Sequence, residues 1–343
     1  MDRVGSFVAG LPPGAFAFVM ATGIVSVGLD QQGLAIPSTV LIVVAVVAWV
    51  VLVLALGARL LRHRGRALDD LHDPRLAFGY FTVVAGSGVL AVRLLEIAPT
   101  VSAALLAAAV LVWLVLGYAV PWAAVLSRAE RPVLTEANGT WFIWVVASQS
   151  VATTAAGLEP IVESGQEALA ILSVMAWSVG VVLYAACAVF VALRLVLYPL
   201  TPQDLNPPYW VSMGAVAITV VAGAKIVEMT ATPMVDATSG LIAGLVVLCW
   251  AWATWLIPVL FAVGVWRHLV HRIPLTYEST WWSIVFPLGM YAVAGMYLGR
   301  ADALPIVESI GAAWLWVAVV AWLFAAGSMV LGWSRAGRGR ATA

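Results

Sequence analysis

The sequence predicts an all-α polytopic membrane protein of ten transmembrane helices, and three observations carry that prediction. Hydrophobic residues make up 63% of the 343 residues and charged ones 10%, with a mean hydropathy of +1.03; a soluble domain carries about 25% charged residues. The stretch of roughly 20 mostly apolar residues that a spanning helix needs recurs ten times, at about 12–29, 36–60, 75–95, 100–126, 137–157, 166–197, 207–229, 237–266, 279–299 and 305–332. The odd-numbered spans then recur with a period of about 60–70 residues, each followed by an even span as a helical hairpin. The chain therefore reads as one transmembrane domain over 1–343, with hairpins at about 12–60, 75–126, 137–197, 207–266 and 279–332.

Taken in order, the odd spans share one style of sequence. The first opens on Pro12-Pro13-Gly14-Ala15-Phe16 and runs through Thr22-Gly23. The third opens on Pro74-Arg75 with Phe78-Gly79-Tyr80-Phe81 and contains Gly86-Ser87-Gly88. The fifth opens on Asn138-Gly139-Thr140-Trp141 and contains Ser148-Gln149-Ser150; the seventh opens on Pro207-Pro208-Tyr209-Trp210. The ninth opens on Ser279-Thr280-Trp281-Trp282 and carries Pro287 and Gly289. By contrast the second (Leu41 to Leu56) and fourth (Ala103 to Leu116) are nearly uniform Val, Leu, Ala and Trp. Small residues let membrane helices approach one another, and polar groups at membrane depth face protein or water. The odd spans are thus expected to form an inner ring and the even spans an outer, lipid-facing one. Ordinary helix packing around a solid core would use the same residues, but five parallel copies favour a ring about an axis.

Charge distribution orients the chain. On the side of the N-terminus lie Arg3, Arg59, Arg62, Arg64, Arg66, Arg75, Arg128, Arg131, Arg194, Arg267, Arg272, Arg335, Arg338 and Arg340; the other side holds Arg93, Lys225 and Arg300. The positive-inside rule then makes both termini cytoplasmic, in an inner (plasma) membrane, with an electropositive cytoplasmic mouth and an acidic outer face. Met1-Asp2-Arg3 does not begin a cleavable signal, so the first span is expected to remain. The formal net charge is zero, which gives no general attraction for nucleic acid.

Few residues suggest chemistry. Cys187 and Cys249 sit alone in apolar runs, and His63, His72, His268 and His271 fall in the connections, so neither a disulfide, a metal site nor another cofactor is expected. His268 and His271 have a ligand-like spacing, but beside Arg267 and Arg272 they read as a headgroup-contacting segment. No nucleophile–base pair or nucleotide loop appears, and no enzymatic activity is expected. Arg93 with Glu96 and Lys225 with Glu228 stand three residues apart at outer helix ends; they read as local ion pairs or as an outer vestibule that meets substrate. The middles of the inner spans lack Asp, Glu, Lys, Arg and His. A lining of hydroxyl, amide and aromatic groups suits weakly held anions, with Thr22, Thr82, Ser87, Ser148, Gln149 and Ser212 as candidates. Pro287 removes a backbone hydrogen bond inside the ninth span, and Gly289 would leave room for a bend. Phe286 at that point is either a core aromatic or a plug on the axis.

These motifs resemble the tellurite-resistance/dicarboxylate transporter family, which includes bacterial tellurite-resistance proteins, fungal malate permeases and sulfite exporters, and plant slow anion channels. Trp281-Trp282 followed by Phe286-Pro287-Leu288-Gly289 is similar to that family's ninth-span signature, and Phe16-Ala17-Phe18-Val19-Met20-Ala21-Thr22-Gly23-Ile24-Val25-Ser26 to its first span. Asn138-Gly139-Thr140-Trp141 and Pro207-Pro208-Tyr209-Trp210 with Ser212-Met213-Gly214-Ala215 are similar to bacterial members described as tellurite-resistance/C4-dicarboxylate transporters. The resemblance implies a homotrimer in which each protomer encloses its own pore, with an aromatic gate from the ninth helix, a role that falls on Phe286. It departs in the third and fifth spans, which have no mid-span proline. The expected function is passage of a small anion through a pore gated by Phe286 and Pro287. The alternative is proton-coupled export of a C4-dicarboxylate, sulfite or tellurite, for which Glu96 and Glu228 are the protonatable candidates.

Overall fold

The computed structural model describes residues 3–127, 131–230 and 232–338; Arg128 and Arg340 lie outside them, and the side chains of Arg3, Arg335 and Arg338 are likewise not described. Among the described residues, ten helices are long and apolar enough to cross a membrane. They are α1 (Pro13–Gln31), α2 (Ala35–Arg62), α3 (Ala77–Leu94), α4 (Pro99–Leu126), α5 (Gly139–Leu158), α6 (Gln166–Leu197), α7 (Pro207–Val227), α8 (Pro233–Val270), α9 (Ser279–Ala301) and α10 (Pro305–Gly332). Two shorter helices, Arg3–Ala9 and Arg64–His72, join them at the end of the molecule that carries the N-terminus.

The division into two layers follows the sequence contrast. In the odd helices 78% to 94% of the most apolar window is buried, against 17% to 22% in the even ones. An even helix made of Val, Leu and Ala has no polar group to satisfy and can face acyl chains on most of its circumference, whereas the odd helices carry Thr, Ser and Gln that require protein partners. Each odd helix packs against two others, in the cyclic order α1, α3, α5, α7, α9 and back to α1.

The Pro/Gly/aromatic openings of the odd spans take one shape. All five begin with a 3₁₀ turn: Pro13–Phe16, Ala77–Phe81, Gly139–Trp141, Pro207–Trp210 and Ser279–Trp281. These turns touch one another in the same cyclic order as the helices they start. Close approach explains the glycines: a Cβ on Gly79 would lie 2.9 Å from the backbone nitrogen of Gly14, and one on Gly139 would lie 2.3 Å from the carbonyl of Pro208. The aromatics fill the rest, with Phe78 stacked on Trp141 at 4.9 Å and Phe18 edge-on to Trp282 at 4.7 Å.

The ninth span packs closely on two neighbouring helices. The helix runs from Trp282 to Ala301 without interruption at Pro287, and the space at Gly289 is taken by α1, since a Cβ there would come within 2.8 Å of Ile24. Gly289 therefore serves helix approach. Pro287 packs against Gly214 of α7, where a Cβ would lie 2.9 Å from the proline ring. A second internal proline, Pro258, lies in α8.

Candidate functional site

The five buried helices surround a small cavity of about 30 Å³, which is enough for one water-sized occupant. Every odd helix contributes to its wall: Ile24 and Val27 from α1, Gly88, Val89 and Val92 from α3, Ser150 and Thr153 from α5, Ile218 and Val221 from α7, and Met290 and Val293 from α9. None of these residues is ionisable. Phe286 stands one helical turn before Met290 on the same face of α9, toward the N-terminal end, and is 1% exposed. The cavity walls are apolar, and Phe286 is not among the residues that line them.

Most of the polar residues expected to line an axis are engaged elsewhere. Trp49 of α2 donates its indole N–H to Ser87 at 2.9 Å, Trp113 of α4 to Ser148 at 2.9 Å, and Trp322 of α10 to Thr22 at 3.0 Å. Trp177 of α6 donates to the carbonyl of Thr219 on α7 at 3.1 Å. On α8, Thr254 shares a 2.8 Å hydrogen bond with the Tyr291 hydroxyl of α9, over which Trp250 stacks. The pattern is regular: each even helix is fastened to the odd helix that opens the next hairpin, and α10 closes the circle on α1. Gln149 also turns outward, donating to the Trp177 carbonyl at 3.2 Å in a space that Gly180 leaves open. Thr82 donates to the carbonyls of Gly79 and Pro13, and Ser212 to that of Tyr209, so both stitch the 3₁₀ turns. In place of these six, Ser150 and Thr153 are the polar residues in the cavity wall. The run Ser148-Gln149-Ser150 held the signal, but helix rotation decided which member faces inward.

The opposite end of the molecule carries the expected charged groups in a different pairing. Arg93 reaches Asp30 at 2.7 Å and Ser38 at 3.1 Å and does not pair with Glu96. Lys225 lies 4.9 Å from the centre of the Tyr297 ring, with Glu228 and Glu96 near enough to act on it electrostatically. Glu228 accepts the Tyr297 hydroxyl, and no Lys225–Glu228 ion pair forms among the described residues. The helical i,i+3 pairings therefore give way to contacts between helices, because α1, α7 and α9 bring better-placed partners to the same level. Arg300 completes the set, pairing with Glu308 at 2.9 Å. Glu159, at the end of α5, is fully buried: one carboxylate oxygen accepts the Thr230 N–H at 3.5 Å and the other has no hydrogen-bond partner. Nothing in its local sequence marks it as buried.

At the N-terminal end the basic residues divide into two groups. Arg59 is 4% exposed and pairs with Asp70 at 2.6 Å, Arg75 pairs with Glu136, and Arg194 holds the carbonyls of Thr135 and Pro199 with Asp204 at 3.8 Å. Burial works to raise the Asp204 carboxyl, but the N–H and hydroxyl of Thr201 and the Arg194 charge outweigh it and hold it below the ordinary carboxylate value. Arg62, Arg64, Arg66 and Arg272 remain exposed. His268 contacts the Ile273 carbonyl and His271 lies edge-on to Trp266; no cluster of three His, Cys, Asp or Glu side chains suited to a metal occurs among the described residues.

Ten apolar helices in two layers, with an uncharged cavity among the inner five, define a multi-pass membrane protein of the transporter and channel type. Residues 10–330 match the SLAC1 family, described as voltage-dependent anion channels, and the chain belongs to that family. Among its relatives is an uncharacterized membrane protein of Mycobacterium tuberculosis, 60% identical over 140 residues, which cover 41% of this chain and 71% of that protein. An uncharacterized transporter of Methanocaldococcus jannaschii is 22% identical over 337 residues, covering 94% of this chain and 92% of the relative. A second transporter of the same organism is 22% identical over 197 residues, 57% of this chain and 56% of its own.

Proposed function

We propose that the protein conducts small anions along the axis of its five buried helices, with Phe286 as the constriction. The observation that carries this reading is a cavity walled by all five odd helices and free of ionisable residues. An apolar ring beside such a cavity cannot replace an anion's hydration shell, so it forms a barrier by dewetting. Pro287, seated against Gly214, fixes the backbone that carries the ring. In this reading the N-terminal face is cytoplasmic, the exposed arginines Arg62, Arg64, Arg66 and Arg272 raise anion concentration there, and the protein works in the plasma membrane as a homotrimer of separate pores. The outer charged set of Arg93, Glu96, Lys225 and Glu228 forms the vestibule at the other end.

The test is anion current in liposomes and planar bilayers for the wild type beside Phe286→Ala at matched protein density. The expected result is a large ohmic increase in the variant. Saturable, pH-dependent malate uptake with no inorganic anion current in either protein would refute the channel. One observation favours that second reading, a coupled exporter: Glu159 is a buried carboxyl without a cationic partner, and intramembrane carboxyls serve proton relays. It is better placed for coupling than Glu96 or Glu228, which are exposed. Coupling to an imposed pH gradient that disappears in Glu159→Gln would establish the exporter.

A further inference from the structure

On the outer surface, near the N-terminal end of the molecule, a groove of about 610 Å³ opens between α2, the short helix Arg64–His72 and α4. Leu56, Leu71 and Leu116 supply its walls, Tyr80 and Val83 of the inner helix α3 reach it from behind, and Arg64 is the charged residue that lines it. Polar contacts fasten the short helix and leave the groove unfilled: the Tyr80 hydroxyl donates to the Ala67 carbonyl at 3.1 Å, and Asp70 pairs with the buried Arg59 at 2.6 Å. Arg62, Arg64 and Arg66 take no part in this. Each is exposed, and none pairs with a carboxylate among the described residues. The charges also run against the helix dipole, with Arg64 and Arg66 in the first turn and Asp69 and Asp70 further on; a helix N-terminus favours negative charge, so an anion at this end relieves the mismatch.

We infer that the groove binds one anionic phospholipid of the surrounding leaflet, with an acyl chain lying between α2 and α4 and the phosphate against Arg64, flanked by Arg62 and Arg66. The site goes beyond the proposed function and is independent of it, since it lies on the outer surface and not among the five inner helices. Its walls are hydrocarbon, on a face that the even helices turn to acyl chains, so a polar solute gains nothing by entering. The preference for basic residues on one side of a membrane explains an arginine-rich connection but not an arginine set into an apolar groove; basic pockets between membrane helices hold anionic lipid head groups. A second copy of the chain fits this place poorly, because its own arginine-rich end would bring like charge to Arg62, Arg64 and Arg66. A chain in the groove packs on Tyr80, which belongs to the 3₁₀ turn Ala77–Phe81 that opens α3. The lipid therefore supports the inner ring as well as the outer layer.

The experiment uses the full chain in a mild detergent and titrates phosphatidylglycerol and phosphatidylcholine of identical chains separately. Binding is read by native mass spectrometry, with thermal unfolding by circular dichroism alongside. The wild type is expected to retain one phosphatidylglycerol and to prefer it to phosphatidylcholine. Arg64→Gln is expected to lower phosphatidylglycerol affinity about fivefold, the factor that one arginine near a membrane surface corresponds to, and Arg64→Gln combined with Arg66→Gln about 25-fold, with phosphatidylcholine little changed. Gly57→Phe fills the groove from a position where a Cβ meets nothing within 4 Å, and is expected to weaken both lipids. Unchanged unfolding of the arginine variants without added lipid separates loss of the site from loss of folding. Equal binding of the two lipids by the wild type, or an unaltered preference after both arginine substitutions, would overturn the assignment. So would equal stabilisation by glycerol phosphate, which has the anion and no chain, or a change of oligomeric state in Gly57→Phe, which would give the groove to a second copy.

Discussion

The fastening of even to odd helices makes a prediction about stability that can be worked from single atoms. Trp113 donates to Ser148 at 2.9 Å, and Ser148 in turn donates to the Trp144 carbonyl at 3.1 Å in a fully buried position. Ser148→Ala strands the indole N–H, and an unsatisfied donor costs about 1–3 kcal/mol. Trp113→Phe removes the donor, leaves Ser148 its bond to Trp144, and costs mainly the lost pair and some packing. The double variant has nothing left to strand, so its loss should be smaller than the sum of the singles. The coupling expected is about 0.6 kcal/mol and not above about 1.7, the range for hydrogen bonds between membrane helices. The assay is unfolding in mixed micelles titrated with dodecyl sulfate, followed by circular dichroism. Ser150→Ala provides a control two residues away, because it removes a buried hydroxyl that already lacks a partner and should leave the protein no less stable. Additivity of Trp113→Phe and Ser148→Ala within about 0.3 kcal/mol would refute the reasoning, as would an equal loss from Ser150→Ala.

Other consequences are open to the same measurement. A Cβ on Gly311 of α10 would lie 2.5 Å from the Met296 nitrogen and 2.7 Å from the Ala292 carbonyl of α9, so Gly311→Ala should cost about 1–3 kcal/mol by overpacking; Gly327→Ala, which meets nothing within 4 Å, should be neutral or slightly stabilising. Asp70→Ala leaves the buried Arg59 guanidinium with only the Tyr80 hydroxyl at 3.4 Å and should cost about 3 kcal/mol, the lower end for breaking a buried pair, since Asp70 is itself 20% exposed. Because the folded-state carboxyl of Asp204 lies below its unfolded value, its stabilising effect is complete above about pH 4 and is lost as pH falls through the folded value. The stability gap between the wild type and Asp204→Asn should therefore close on acidification; a gap that widened below about pH 4 would contradict the assigned sign.

Much of the architecture was legible from residue type alone. The Val/Leu/Ala runs of α2 and α4 and the Gly/Ser/Thr content of the odd spans separated a lipid-facing layer from a buried one. The openings rich in proline, glycine and aromatics marked five equivalent starts, although their 3₁₀ geometry and mutual contact came from the structure. The outer ion pairs were misassigned because i,i+3 spacing describes one helix, whereas Arg93 finds Asp30 across 63 residues of sequence. Glu159 escaped notice for the same reason: its burial comes from neighbouring segments, including the backbone of Thr230.

Composition and period by themselves determined ten spans, five hairpins and which helices avoid lipid, because exclusion of polar groups from hydrocarbon acts on each helix separately. Only the tertiary structure decided how each inner helix is rotated. An inner helix meets protein on every side, so a hydroxyl is equally satisfied by a tryptophan of the outer layer or by an occupant of the axis, and hydropathy does not distinguish the two. The interhelical hydrogen bonds made the choice: Thr22, Ser87 and Ser148 turn to Trp322, Trp49 and Trp113, and Ser150 is left beside the cavity.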